Sequence, residues 1–294
     1  MKLHGIFPPV TTPFDRNGEL YRAKVRHNVE KWNLTALAGY IVTGSTGESV
    51  LLTTEEKLQL WGWVAEFAAA EKTLIAGTGA ESVRETVALT NQAAALGYKA
   101  ALVRTPHYYK NVLNNAAAQM LYFRAVADQS RIPVLIYNFP AATGLDIAAE
   151  AVIELSAHPN IIGIKESSPN IEKIMRMARE AQAGFQVLGG SAAMLWPALM
   201  AGAVGAILAF ANAAPYSTIA IWEAWRAREY EAAADWQNRI ARAAALVPAR
   251  YGVPGLKHAM DLNGYYGGPP RLPLTPASPE ARREIEDAFQ DLKG

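Results

Sequence analysis

The chain has 294 residues, 51% of them apolar and 19% charged, with a formal net charge of +1 and no cysteine. That balance supplies a large core and excludes a disordered chain, while the lack of cysteine excludes disulfides, thiolate catalysis and cysteine-ligated zinc or iron–sulfur sites. With no block of like charge and no apolar run near the roughly 18 residues of a membrane span, neither nucleic acid nor membrane is an expected partner.

The N-terminal stretch "MKLHGIFPPVTTPF" has two prolines where a signal peptide would need an apolar helix, so no targeting segment and a cytoplasmic location are expected. From there, short β-branched runs alternate with longer helical segments. Strands are predicted at "GIFPPV" around Ile6, "GYIVTG" around Ile41, "TLIAGTG" around Ile75 and "AALVRTP" around Leu102. Four more follow at "PVLIYNFP" around Ile136, "IIGIKES" around Ile164, "FQVLGG" around Val187 and "VGAILAFAN" around Ile207. Helical spacing fills the intervals, as in "TTEEKLQLWGWVAEFAAA", where Thr53 and Glu56 form a capping-box pattern, and in "NIEKIMRMAREAQ".

Strands apolar on both faces, each followed by a helix, imply a parallel sheet covered by helices. Eight such units predict an α/β fold of the (β/α)8 TIM-barrel type over residues 1–226. The remaining residues 227–294 read as a small C-terminal helical appendage of the same catalytic unit, in "YEAAADWQNRIARAAALV", "GLKHAMDL" and "PEARREIEDAF". A doubly wound open sheet is the alternative. It usually carries a G-x-G-x-x-G turn after its first strand, and here that position holds "PPVTTPF"; "GTGAES" at Gly77 is half such a motif.

Active sites of such barrels lie at the C-terminal ends of the strands. Those ends carry Thr11 and Thr12, then Ser45, Thr46, Gly47 and Glu48, then Thr78 and residues 105–109. Tyr137 and Asn138, Lys165, Glu166 and Ser167, Gly189 and Gly190, and Asn212 complete the rim. Of the eleven lysines, Lys165 alone ends an apolar strand at this rim; Lys99 precedes its strand, at the opposite face.

Two readings of Lys165 stand. It marks where a strand meets water, or it is a reactive amine in a dry pocket. A lysine attacks a carbonyl only as the free amine, which apolar surroundings favour over the charged form. The resulting Schiff base withdraws electrons from the adjacent carbon and permits C–C cleavage or formation. Tyr137, ending the preceding strand, is either the proton shuttle such chemistry needs or a core aromatic with its hydroxyl at the surface.

"GSTGES" is either a plain βα turn or a nest of backbone N–H groups for an anion. A carboxylate is the expected ligand, because the motif supplies no lysine or arginine for a phosphate. Glu48 reads as a helix-start acceptor rather than a catalytic acid. Metal chemistry finds little support: the histidines at 4, 27, 107, 158 and 258 show no i,i+4 pair, and only His107 lies at a strand end. No metal and no cofactor are expected.

"GSTGES", "TPHYY", "YNFPAATG" and "GIKESS", in this order, resemble the dihydrodipicolinate synthase and N-acetylneuraminate lyase superfamily of class I aldolases. The likeness runs from "GIFPPVTTPF" to "YGVPGLKHAMDLNGYYGGPPRLPL". It implies that Lys165 forms a covalent imine with the substrate and that Tyr137 moves protons around it. Ser45 and Thr46, with Gly47, would bind the carboxylate of a 2-oxo acid such as pyruvate, and the Ser45 hydroxyl would pass protons to Tyr137. A second tyrosine would come from a neighbouring subunit; counting from Pro106 this is Tyr108 rather than Tyr109. Ser167, Gly189 and Ile207 match positions lining the lysine's pocket. The shared tyrosine implies a homotetramer, a dimer of dimers.

Within the superfamily, the synthase branch, which joins pyruvate to aspartate semialdehyde, carries an arginine where this chain has Ala142. "ATGLDIAAEAVIELSAHPNIIGIKES" and "GVPGLKHAMDLNGYYGGP" instead resemble the 4-hydroxy-2-oxoglutarate aldolase branch, whose products are pyruvate and glyoxylate. Aldolases of 2-keto-3-deoxy sugar acids and of N-acetylneuraminate remain open. Arg104, just before "TPHYY", either supplies the distal-carboxylate contact that Ala142 lacks or points into the helix layer. The expected function is therefore a cofactor-free lyase acting on a 2-oxo acid and an aldehyde. A carboxylic-acid-binding sensor barrel and a metal-dependent aldolase are the contrasting classes.

Overall fold

A computed structural model describes residues 1–292 of the chain. The eight strands are β1 (Gly5–Phe7), β2 (Gly39–Val42), β3 (Thr73–Gly77), β4 (Ala100–Arg104), β5 (Val134–Asn138), β6 (Ile161–Glu166), β7 (Gln186–Gly189) and β8 (Gly205–Ile207). They form one sheet in the order β1-β8-β7-β6-β5-β4-β3-β2, with helices between successive strands, which is the (β/α)8 barrel the alternation predicts. By internal packing the residues fall into two compact units: Met1–His4 with Leu74–Ile207, and Gly5–Thr73 with the chain from Leu208 onward.

The first unit contains β3 to β8, all parallel. Its register sets Arg104 beside Tyr137, Tyr137 beside Lys165, and Lys165 beside Leu188. Side chains alternate across a strand. Ala101, Val103, Val134, Ile136 and Ile164 pack outward with Phe123, Val126, Ile147, Val152, Leu155, Ile174 and Met177 from the covering helices. Each such aliphatic or aromatic side chain, fully buried, contributes about 1.5–3 kcal/mol relative to exposure. The alternation therefore puts Arg104, Tyr137 and Lys165 on the opposite, inward face. Strand spacing at this point depends on Gly163: a Cβ there would lie 2.2 Å from the Gln186 carbonyl oxygen and 3.0 Å from Leu135 Cδ1.

In the second unit β1 is short because Pro8 and Pro9 lack the N–H that would extend its ladder. Pro9 still bridges Ile41 in parallel, and the Ile41 N–H donates to the Pro8 carbonyl at 3.0 Å. The end of β1 is held by Asn212, which accepts the Thr11 N–H at 3.2 Å and donates to the Pro9 carbonyl at 3.0 Å. Helix Thr54–Phe67 starts with the predicted capping box: Thr53 accepts from the Glu56 N–H, and Glu56 accepts from the Thr53 N–H. After β8 the chain forms helices Pro215–Arg226, Tyr230–Ala244, Gly252–Leu262 and Pro279–Ala288. No helix among the described residues is long and apolar enough to cross a membrane.

The sequence pattern does not show how the strand-to-helix connections are built. Short turns of helix occupy them, at Ser45–Gly47, Ser49–Leu51, Lys110–Leu113, Pro140–Thr143 and Ala209–Asn212. They are too short to carry a periodic signal.

Gly163→Ala should lower stability by about 1–3 kcal/mol, because the added methyl forces β6 and β7 apart. Urea unfolding measures this, and an unchanged midpoint would show that the strands yield without loss.

Candidate active site

The site is built from the last residues of the strands. Lys165, the penultimate residue of β6, is 4% exposed. Its Nζ lies 4.0 Å from the ring centroid of Tyr137, its register neighbour on β5. Tyr137 is itself buried and stacks on Phe139 at 5.7 Å. The structure thus brings together the two residues assigned to the imine chemistry.

Lys165 has no acidic partner among the described residues, which sets it apart from the other buried lysines, Lys173 and Lys257. Lys173 Nζ lies 3.0 Å from Glu166 Oε2 and 2.6 Å from Asp146 Oδ1. Glu166 follows Lys165 directly, so its side chain points to the other face of β6. There its fully buried carboxylate accepts from Asn138 Nδ2 at 2.8 and 3.0 Å and from the Ser168 N–H at 2.7 Å. A buried carboxylate needs a counter-charge and a filled set of donors, and this one has both. The result is a rigid end to β6: the Ser167 N–H donates to the Asn138 carbonyl and the Gly190 N–H to the Glu166 carbonyl. Sequence reasoning missed this anchor. Its signal was a Glu, Lys and Asn set in "NFPAATGLD" and "KESSPNIEK", unremarkable until the strands are paired.

Ser167 turns a buried hydroxyl, without a partner among the described residues, toward Gly190. A Cβ on Gly190 would fall 2.0 Å from that oxygen, so the hydroxyl's space exists only because residue 190 is glycine. Gly189 ends β7 in register with Glu166 and Ala206, and Ile207 ends β8, fully buried.

Arg104 ends β4, and its Nη1 donates to Glu81 Oε1 at 2.8 Å and to His107 Nδ1 at 2.7 Å. The other Glu81 oxygen accepts the N–H groups of His107 and Tyr108, both at 2.9 Å. Burial opposes charge on Glu81, yet the Arg104 bond and these two N–H donors hold its carboxyl below the usual range. Burial and then the Arg104 charge lower the His107 imidazole, so it accepts at Nδ1 as a neutral ring. Arg104 is thus inward at its Cβ but engaged at its guanidinium, where it braces the turn that bears Tyr108. Tyr108 is 78% exposed and packs edge-to-face on exposed Tyr109 at 5.1 Å. Ala142 is exposed in the turn Pro140–Thr143.

The second unit carries the "GSTGES" turn after β2. Ser45–Gly47 form one turn of 3-10 helix, with Ser45 exposed and Thr46 and Gly47 buried. The N–H groups of Gly47 and Glu48 close the turn on the Gly44 and Ser45 carbonyls, both at 3.0 Å. Those of Ser45 and Thr46 make no hydrogen bond among the described residues, leaving two adjacent backbone donors available. Glu48 corrects one expectation: it caps no helix start. Its Oε2 accepts the Arg271 N–H at 2.8 Å and its Oε1 faces Lys257. Among the described residues no group of three or more His, Asp or Glu side chains is gathered as a metal site would require.

The Dihydrodipicolinate synthetase family model matches residues 2–292. A probable mitochondrial 4-hydroxy-2-oxoglutarate aldolase from Emericella nidulans is 37% identical over 292 residues, covering 98% of this chain and 94% of that protein. A 4-hydroxy-tetrahydrodipicolinate synthase from Exiguobacterium sp. is 32% identical over 288 residues, covering 98% and 97%. Among solved structures, a dihydrodipicolinate synthase from Bacillus anthracis superposes with a TM-score of 0.94 at 26% identity, covering 100% of both chains. Strand order, the pairing of Tyr137 with Lys165 and end-to-end sequence similarity agree: the chain belongs to the Dihydrodipicolinate synthetase family and is a lyase of the class I aldolase type.

Proposed function

We propose that this enzyme is a Schiff-base-forming aldolase that cleaves 4-hydroxy-2-oxoglutarate to pyruvate and glyoxylate. The observation that carries the mechanism is Lys165, buried without a carboxylate partner among the described residues and 4.0 Å over the Tyr137 ring. Its amine attacks the C2 carbonyl, the Tyr137 hydroxyl gives the proton with which the carbinolamine oxygen leaves as water, and a protonated imine forms. The Tyr137 phenolate then takes the proton of the C4 hydroxyl, the C3–C4 bond breaks, and glyoxylate departs as the electron pair moves into an enamine. Tyr137 returns that proton to C3, and hydrolysis of the imine releases pyruvate and the free amine and restores the Tyr137 proton.

Ser45 and Thr46 are the proposed carboxylate-binding pair, with Gly47 completing their turn and the Ser45 hydroxyl relaying protons to Tyr137. The two available N–H donors of that turn support the reading. Ser167, Gly189 and Ile207 are assigned to the substrate pocket, and the unpartnered Ser167 hydroxyl is a ready donor for a substrate oxygen. Tyr108, exposed on its turn, is assigned to the active site of a neighbouring copy in a homotetramer. The covalent imine replaces any cofactor in this scheme.

Two things favour glyoxylate as the aldehyde. Ala142 offers no charge to the carboxylate of aspartate semialdehyde, and the relative from Emericella nidulans is named for the glyoxylate-forming reaction. The reading as a 4-hydroxy-tetrahydrodipicolinate synthase rests on the relative from Exiguobacterium. Glu81 and His107 engage only Nη1 of Arg104, so its Nε and Nη2 donors are the ones a distal carboxylate would meet.

Borohydride reduction in the presence of pyruvate should add one reduced pyruvate to Lys165, located by peptide mass spectrometry. Lys165→Ala should abolish both adduct and turnover, and wild-type rates in that variant would overturn the mechanism. Tyr137→Phe should lower kcat by about 10²–10⁴-fold while the pyruvate adduct still forms; an unchanged kcat would remove Tyr137 from proton transfer. In a screen of aldehydes condensed with pyruvate, glyoxylate should outpace aspartate semialdehyde, and the reverse order would select the synthase reading.

A further inference from the structure

The second unit contains a buried charge pair that the proposed chemistry does not use. Glu48 is 2% exposed and Lys257 1%. Lys257 Nζ donates to the carbonyls of Thr12 and Pro269, both at 2.9 Å, and holds Glu48 Oε1 at 2.6 Å as its counter-charge. Burial pulls the Lys257 ammonium below its ordinary range, with Glu48 opposing the shift. Thr12 Oγ1 in turn donates to the Gly47 carbonyl at 2.6 Å. The contacts close a ring, from Lys257 through Thr12, Gly47 and Glu48 back to Lys257, and the ring runs through the end of the Ser45–Gly47 turn.

That turn needs holding. Thr43 and Glu48, which bracket it, are non-glycine residues in the left-handed region, with φ of 61° and 56°. Backbone of this kind persists where the surroundings over-determine it. Gly47 presses on the segment that follows β1 so closely that a Cβ would meet the Val10 carbonyl oxygen at 2.9 Å. Farther along, the Arg271 guanidinium binds the carbonyls of Gly18 and Leu51 and both oxygens of Glu56. The connection from β2 to helix Thr54–Phe67 is thus fastened at two points by one C-terminal stretch, Lys257 to Arg271.

A buried ion pair is a poor source of net stability, and its best-attested use is to fix register. We propose that Lys257 and Glu48 are positioning residues for the anion-binding turn, fixing where the N–H groups of Ser45 and Thr46 meet the substrate carboxylate. This rests on the assignment of that turn to the 2-oxo acid. It gives helix Gly252–Leu262 a role in substrate affinity although it bears none of the reacting groups.

The test measures the pyruvate concentration that half-saturates borohydride trapping, the maximal trapping rate, and the melting temperature. Lys257→Met should raise half-saturation by about tenfold or more, with the maximal rate within about threefold of wild type, and Glu48→Gln should move it the same way. The decisive variant is Lys257→Met with Glu48→Leu, which replaces the pair by apolar groups. It should melt above Lys257→Met, which leaves the Glu48 charge buried alone, but keep the raised half-saturation. A double variant that also regains the wild-type half-saturation would overturn the proposal, leaving the pair a structural element. If Lys257→Met does not fold, Glu48→Gln and the double variant decide the matter alone. Ser45→Ala and Thr46→Val separate the two assignments. If both leave half-saturation at the wild-type value, the turn is not the carboxylate site and the proposal falls with it. If they raise it while Lys257→Met and Glu48→Gln do not, only the positioning role is lost.

Discussion

Taking an ammonium group out of water is so unfavourable that a buried lysine ordinarily calls for a counter-charge. Lys173 and Lys257 receive one, from Glu166 with Asp146 and from Glu48. Lys165 receives neither carboxylate: its charged neighbour Glu166 is turned by the strand pleat to the opposite face and is already held by Lys173, Asn138 and the Ser168 N–H. The same pleat that isolates Lys165 from Glu166 sets it against Tyr137. One geometric fact, the alternation of side chains along β6, thus separates an anchoring carboxylate from the lysine assigned to imine chemistry one residue away.

The two buried pairs share a design. Each carboxylate directly follows a residue assigned to function, Glu166 after Lys165 and Glu48 after Gly47. In each case the neutralising lysine comes from a helix later in the chain. Strand ends and βα turns must expose backbone and side chains to a substrate, so they cannot be held by core packing alone. A buried carboxylate paired with a lysine behind the functional residue supplies the rigidity that a preorganised site needs. Arg104, Glu81 and the N–H groups of His107 and Tyr108 do related work at the end of β4, partly exposed.

Substrate choice makes a different physical demand from the bond-making chemistry. The proposed imine chemistry needs one amine and one hydroxyl close together, and β5 and β6 set Tyr137 and Lys165 in register. Discriminating among aldehydes needs a contact at the distal end of the substrate. The positions assigned to that contact hold an exposed alanine at 142 and Arg104, whose Nη1 is already bonded to Glu81 and His107. A binding preference built on one charge is readily moved between relatives of the same fold, which fits the mixture of names carried by proteins of similar identity.

The sequence by itself determined a helix-covered parallel sheet, because two-sided apolar strands alternating with helices must cover both faces. Its eight units, with no G-x-G-x-x-G turn after the first strand, pointed to a barrel over a doubly wound sheet. It also singled out Lys165 and Tyr137, since each ends an apolar run where a polar group is otherwise out of place. Thr53 with Glu56 was legible for a similar reason: capping is a local interaction, four residues long. What the sequence did not reveal is long in range. The Glu48–Lys257 pair joins residues 209 positions apart, where the sequence offers only a helix-start reading of Glu48, and nothing local marks the Glu166–Lys173–Asp146 anchor. The extra helical turns at Ser45–Gly47 and Pro140–Thr143 were too short for periodicity to register. Tertiary structure alone decided these, because an ion pair has no spacing rule in the chain. Its partners are chosen by which strand ends and helices the closed sheet brings within a few ångströms.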